Sequence, residues 1–184
     1  MIYLASTSPR RKILLREKGV RFKILKPSYH EKRIHGLPAK IVKTHAIEKA
    51  LSCLKLVKQG IILSADTIVY WNGCVIGKPK NMEDAVRILL KLQDQWHTVF
   101  TGVAVLRVKQ ERVIKKTVFV EKTKIRLQPM TKIEINRYFR RVNPLDKAGA
   151  YAIQSKSASI VKEIRGSFSN AVGLPMERLK FLVK

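Results

Sequence analysis

Apolar and polar positions recur along this chain in two rhythms, and the switches between them mark its elements. Ile2, Tyr3 and Leu4 are β-formers. The run from Pro9 to Lys18 reads as a helix, with Ser8 as N-cap, Pro9 at its first position and Gly19 just past its end. Arg21 to Leu25 predicts a short strand that leads into a polar loop around Tyr29, His30 and Glu31. From Pro38 to Lys58 the residues Val42, Ala46, Ala50, Cys53 and Val57 fall on one helical arc, with Gly60 as the stop. Lys49 lies about 60° from the centre of that arc. At such a flank a lysine either snorkels or reaches into a cleft. Ile61 to Val69 is a mostly apolar strand, and Asn72-Gly73 signals a tight hairpin returning through Val75 and Ile76.

Asn81 with Asp84, and Thr131 with Glu134, resemble capping boxes for helices Met82 to Leu92 and Lys132 to Val142. Pro144 follows the second. Thr98 to Val108 and Arg112 to Leu127 read as two long strands joined near Lys109-Gln110. Short strands are expected at Ala150 to Ile153 and Ser159 to Ile164, then a loop from Gly166 to Asn170 and a last helix from Pro175. This order predicts a mixed α/β chain with some antiparallel pairing. No repeat, low-complexity tract or linker divides it.

A length of 184 residues suits one good core, or two small lobes sharing a sheet. With 46% hydrophobic and 28% charged residues the chain is globular rather than disordered. No apolar run approaches the roughly 20 residues that span a bilayer. Met1 leads into a strand without the basic-then-apolar order of a signal peptide. Cys53 and Cys74 supply neither a zinc set nor a disulfide framework, so a cytoplasmic location is expected. The 38 Lys and Arg against 13 Asp and Glu give a formal charge of +25. Three readings fit: nucleic-acid binding, handling of small polyanions, or a compositional preference for lysine. The basic residues are dispersed, without a dense tail, which favours the compositional reading. The positive field still draws in nucleotides and supports nonspecific nucleic-acid binding.

Four segments carry candidate chemistry. In Leu4-Ala5-Ser6-Thr7-Ser8-Pro9-Arg10-Arg11, small hydroxyl residues hand a strand to a helix whose N-terminus favours anions. Arg10 and Arg11 are unfavourable there unless a phosphate chain is bound; the alternative is an ordinary helix start with solvated arginines. Asp66, amid apolar strand residues, is costly unless paired or used. It reads as a general base, a metal ligand, or a structural acid bonding backbone amides. Gly73 to Pro79 fails as a P-loop, being one residue short and having Pro79 where a hydroxyl would hold the metal, yet Lys78 can meet a phosphate. Asp146 to Gln154 has small residues that let a ligand approach, and Gln154 offers a donor and an acceptor to a base edge. A tight sheet crossing fits that segment equally well. His97, at the start of a strand, reads as structural.

Taken in order, Ser6-Thr7-Ser8-Pro9-Arg10-Arg11, Ala65-Asp66-Thr67, Gly77-Lys78-Pro79, Asp146 through Gln154 and Gly173-Leu174-Pro175 resemble the motifs of Maf proteins over essentially the whole chain. The resemblance implies a two-lobed fold related to the inosine triphosphatase type, with an extended mixed sheet flanked by helices around one central cleft, in a single domain spanning 1–184. It implies a homodimeric nucleoside triphosphate pyrophosphatase, cleaving between the α- and β-phosphates with a divalent metal, Mg²⁺, Mn²⁺ or Co²⁺.

By that resemblance Asp66 activates the attacking water and holds the metal with Glu31. Ser6, Ser8, Arg11, Lys49 and Lys78 line the triphosphate site, and Arg10, Thr67 and Gln154 match specificity positions. Arg10 after the Ser-Pro pair, Asp66-Thr67 and Ile153-Gln154 resemble the branch acting on dTTP and UTP, and modified pyrimidine nucleotides come within its range. Such enzymes sanitise the nucleotide pool, with a link to septum formation. The sequence departs from the family pattern at His30, Asp94-Gln95, Asn143 and Ser155. The rival class is a noncatalytic, basic nucleic-acid-binding protein, which predicts salt-sensitive polynucleotide binding without pyrophosphate release.

Overall fold

The computed structural model describes residues 1–30, 34, 36–153 and 159–182. Its strands are β1 (Ile2–Ala5), β2 (Phe22–Leu25), β3 (Gln59–Trp71), β4 (Cys74–Ile76), β5 (Trp96–Lys109), β6 (Arg112–Leu127) and β7 (Val161–Arg165). The helices are α1 (Pro9–Glu17), α2 (Pro38–Leu51), α3 (Met82–Leu92), α4 (Lys132–Phe139) and α5 (Phe168–Val172). The strands pair in the order β2-β1-β3-β5-β6-β7, with β4 on β3. β1 is parallel to both β2 and β3, whereas β4 on β3 and β7 on β6 are antiparallel. The sheet is therefore mixed, as the order of elements predicts. No helix among the described residues is long and apolar enough to cross a membrane.

The chain forms two compact units, one of residues 1–67, 101–121 and 173–184, the other of 68–100 and 122–172. In the first, the residues of the expected arc are buried: Ala46 and Ala50 of α2, with Cys53 and Val57 past its end, pack with Ala5, Ile62, Ala104, Leu106 and Val108. The seat of α2 is unusually close. A Cβ on Gly102 of β5 would stand 2.3 Å from the Val42 carbonyl oxygen, so only glycine lets the helix backbone approach there. Ser64 of β3 donates its hydroxyl to the Ala46 carbonyl, fixing the same helix from below. In the second unit Leu89 and Leu92 of α3 and Ile135, Tyr138 and Phe139 of α4 bury against Val69, Val99, Ile125 and Leu127. Each fully buried side chain of this size contributes about 1.5–3 kcal/mol.

Several expectations are corrected. The helix from Pro38 ends at Leu51 and gives way to a 3₁₀ turn at Leu54–Leu56, because β3 begins already at Gln59. Gly60 is a strand residue rather than a helix stop. Its φ of 147° and the Met1 oxygen, 2.6 Å from where a Cβ would stand, leave no room for a side chain. The strand expected at Ala150 to Ile153 is absent: Gly149 and Ala150 both have left-handed φ, 76° and 64°, which bends the backbone out of extension. Gly166 to Asn170 is not all loop. The Ser167 hydroxyl takes the Asn170 N–H at 2.9 Å and starts α5. The last helix is two 3₁₀ turns, Met176–Arg178 and Lys180–Leu182, with Met176, Leu179 and Leu182 buried at the three-residue spacing such turns present on one side.

Candidate active site

The first unit builds its polar centre where β1 leaves the sheet. The parallel pairing of β1 with β3 runs to Leu4 opposite Leu63, after which β3 continues through Ser64, Asp66 and Thr67. Ligands of open α/β sheets bind beyond such carboxyl ends of strands. Past Ala5, Ser6 and Ser8 turn the chain into α1. Ser8 occupies the N-cap position, yet its side chain makes no cap hydrogen bond.

Arg11 joins three distant pieces of chain. Its Nη1 donates to Ser6 Oγ at 3.1 Å, its Nη2 to Thr67 Oγ1 at 3.0 Å, and its Nε to the Gly173 carbonyl at 2.9 Å. Ser6 Oγ also accepts the Ser8 N–H at 3.2 Å. Two accepted bonds occupy both lone pairs of that buried oxygen, so Ser6 has its O–H to direct at an anion. Thr67 Oγ1 in turn lies 3.0 Å from the hydroxyl of Thr101 on β5.

On the neighbouring residue of β3, Asp66 makes a second network. Its Oδ1 accepts from Lys49 Nζ at 2.5 Å, with the two side chains only 8% and 13% exposed. Lys49 is thus the flanking lysine of α2 turned toward the sheet, and the Ser64–Ala46 bond one turn earlier sets its height. A turn before Lys49, buried His45 shares a hydrogen bond with the Tyr29 hydroxyl at 3.0 Å. Asp66 and Thr67 alternate across the strand, so an acid–ammonium pair and a hydroxyl–guanidinium cluster occupy adjacent positions of one element.

Arg10 is half-buried in the same first turn of α1. Lys78 belongs to the second unit, where it is exposed and follows Gly77. The Gly77 carbonyl accepts the Gly149 N–H at 3.1 Å, tying that turn to the Asp146 segment. Glu31 and Gln154 lie outside the described residues. His97 is structural, as expected: its Nε2 meets the Tyr151 hydroxyl at 2.7 Å, and burial pushes its pKa down to about 4. Sequence reasoning did not single out Thr101, Ser64, Gly102 or His45. Thr101 and Ser64 look like ordinary strand hydroxyls; Gly102, within a β-branched run, is the one whose oddity could have been read.

Comparison with known proteins adds to this geometry. The family model described as Maf-like protein matches residues 1–184. A dTTP/UTP pyrophosphatase of Dictyoglomus turgidum is 42% identical over 184 residues, covering 99% of this chain and 94% of the relative. That of Dictyoglomus thermophilum is 43% identical over 185 residues with the same coverage. A dTTP/UTP pyrophosphatase of Methanosarcina barkeri is 40% identical over 180 residues, covering 97% and 90%. Among solved structures, the Staphylococcus aureus Ham1 protein is 15% identical with a TM-score of 0.44, over 86% of this chain and 91% of that one.

Proposed function

The chain belongs to the Maf family, and on that premise we propose that it hydrolyses dTTP and UTP, with modified pyrimidine nucleotides in its range, to the monophosphate and pyrophosphate. The observation that carries the reading is the buried Asp66–Lys49 pair beside the donors of Ser6 and Arg11, where β1 ends. A triphosphate needs cationic and hydroxyl donors along its length, and one carboxylate kept ionised to take a proton. Ser6, Ser8, Arg10, Arg11 and Lys49 of the first unit supply the donors. Asp66 supplies the carboxylate.

In the reaction, water attacks the α-phosphorus, the bond to the bridging oxygen of the β-phosphate breaks, and pyrophosphate leaves with its electron pair. The proton of the water passes to the Asp66 carboxylate. Lys49 holds that carboxylate in place beforehand.

The donor set also fits a divalent metal arriving with the nucleotide. Among the described residues no three His, Cys, Asp or Glu side chains gather as a protein-only cage. Mg²⁺ is typically held by one or two carboxylates together with substrate phosphates, and Asp66 is a carboxylate of that kind. Asp66, with Glu31, would hold Mg²⁺, Mn²⁺ or Co²⁺. Once bound, the metal would act as a Lewis acid on the phosphoryl oxygens.

Asp66→Asn tests the reading. Pyrophosphate release from dTTP and UTP with Mg²⁺ is expected to fall about 10²- to 10⁴-fold while the circular dichroism spectrum stays unchanged. Near-normal turnover in that variant would overturn the role given to Asp66. Salt-sensitive polynucleotide binding by a wild-type protein that releases no pyrophosphate would favour the nucleic-acid-binding class instead.

A further inference from the structure

Thr101 is fully buried in β5, and its hydroxyl stands 3.0 Å from that of Thr67. The neighbours bear on the direction of this hydrogen bond. A guanidinium has donors only, so Arg11 Nη2 gives a hydrogen to Thr67 Oγ1 at 3.0 Å. A buried hydroxyl has to direct its hydrogen at an acceptor, and the second lone pair of Thr67 Oγ1 is one within reach of Thr101. Either hydroxyl of this pair can be the donor; when it is Thr101, it and Arg11 together occupy both lone pairs of Thr67, and what remains is the Thr67 O–H. Gly173 bounds the same oxygen, since a Cβ there would stand 3.4 Å from Thr67 Oγ1.

We propose that Thr101 is a positioning residue for base selection: by donating to Thr67 it makes the Thr67 hydroxyl an obligate donor, matched to a pyrimidine that carries a carbonyl at C4. The inference rests on the reading of the protein as a dTTP/UTP pyrophosphatase with Thr67 facing the base. Thymine and uracil present the O4 acceptor where cytosine presents the N4 amino donor. Thr67 held in this state complements the carbonyl and opposes a donor to the amino group. Such a mismatch leaves polar groups unpaired in the complex with the wrong base, which is a strong source of discrimination. Arg11 thereby has two effects through its fork: it turns Ser6 outward as a donor and prepares Thr67 for the same task.

The test measures pyrophosphate release from dTTP and dCTP by the full chain with Mg²⁺, for wild type, Thr101→Val and Thr101→Ser. In the valine variant the ratio of kcat/KM for dTTP over dCTP is expected to fall about tenfold. The change should lie in KM rather than kcat, because Thr67 regains a lone pair that can accept from N4. Serine restores the ratio, since it keeps the hydroxyl. In a Thr67→Val background, Thr101→Val changes the ratio no further. An unchanged ratio in the valine variant, a serine variant as impaired as valine, or additive effects in the double variant would each overturn the proposal. If the valine variant does not fold, Thr101→Cys takes its place with the same expected fall, because a thiol is a weak donor. A wild-type protein that releases no pyrophosphate from dTTP or UTP overturns both readings, and that failure is seen before any substitution is made.

Discussion

Helices α3 and α4 of the second unit begin with side-chain caps, whereas α1 and α2 of the first begin with proline and none. Asn81 takes the Asp84 N–H at 2.8 Å, and Thr131 and Glu134 bond each other's backbone reciprocally. The buried polar pairs differ in the same sense. In the second unit His97 and Tyr151 satisfy each other as a neutral pair, while in the first Lys49 and Asp66 are paired as ammonium and carboxylate partners of a salt bridge. The second unit caps these helices and pairs these buried groups within itself. The first leaves α1 without a side-chain cap and clamps Ser6 Oγ with two donors, so that its O–H is left for an anionic substrate.

The contrast can be broken most forcefully at Lys49. Removing one partner of a buried ion pair leaves an uncompensated charge, so Lys49→Met should destabilise the protein by about 3–5 kcal/mol in urea denaturation. Adding Asp66→Asn should restore part of that stability and none of the activity. A neutral pair responds to pH instead. Burial holds His97 near 4, below its ordinary value of about 6.5, so between those values the unfolded chain binds a proton that the folded one does not. Stability is therefore whole above pH 6.5 and declines by about 3 kcal/mol as pH falls to 4. His97→Gln, whose amide oxygen can still accept from Tyr151, should flatten that decline in denaturation curves taken at pH 7 and 4.5. The smallest effects separate the helix starts. Thr131→Ala should lower stability by about 1 kcal/mol, and Ser8→Ala by only a few tenths, while the latter weakens nucleotide binding.

Features decided within a few residues were legible in the sequence. The Thr131–Glu134 capping box, the Asn81 cap of α3 and the hairpin at Asn72-Gly73 follow from local spacing, and all three form. The reasons for Gly60 and Gly102 lie outside local spacing. Each is glycine because of a backbone far away in sequence, Met1 for one and Val42 for the other. Arg10 and Arg11 look equivalent as letters, and only the phase of α1 turns Arg11 onto Ser6, Thr67 and Gly173. Asp66 stood out through the cost of an acid in an apolar strand, but its partner Lys49 was one of many lysines. Thr101 gave no signal, because the Thr67 oxygen it meets lies 34 residues away in sequence.

Ser6 sits among the groups proposed to meet the phosphates, where a hydroxyl could in principle serve as nucleophile. Attack on phosphorus requires an oxygen electron pair aimed at the substrate, and those of Ser6 face Ser8 and Arg11. A serine held this way can solvate charge but is poorly disposed to form a phosphate ester. With water as the nucleophile, as proposed, the displacement is expected to invert the α-phosphorus without a covalent intermediate on Ser6.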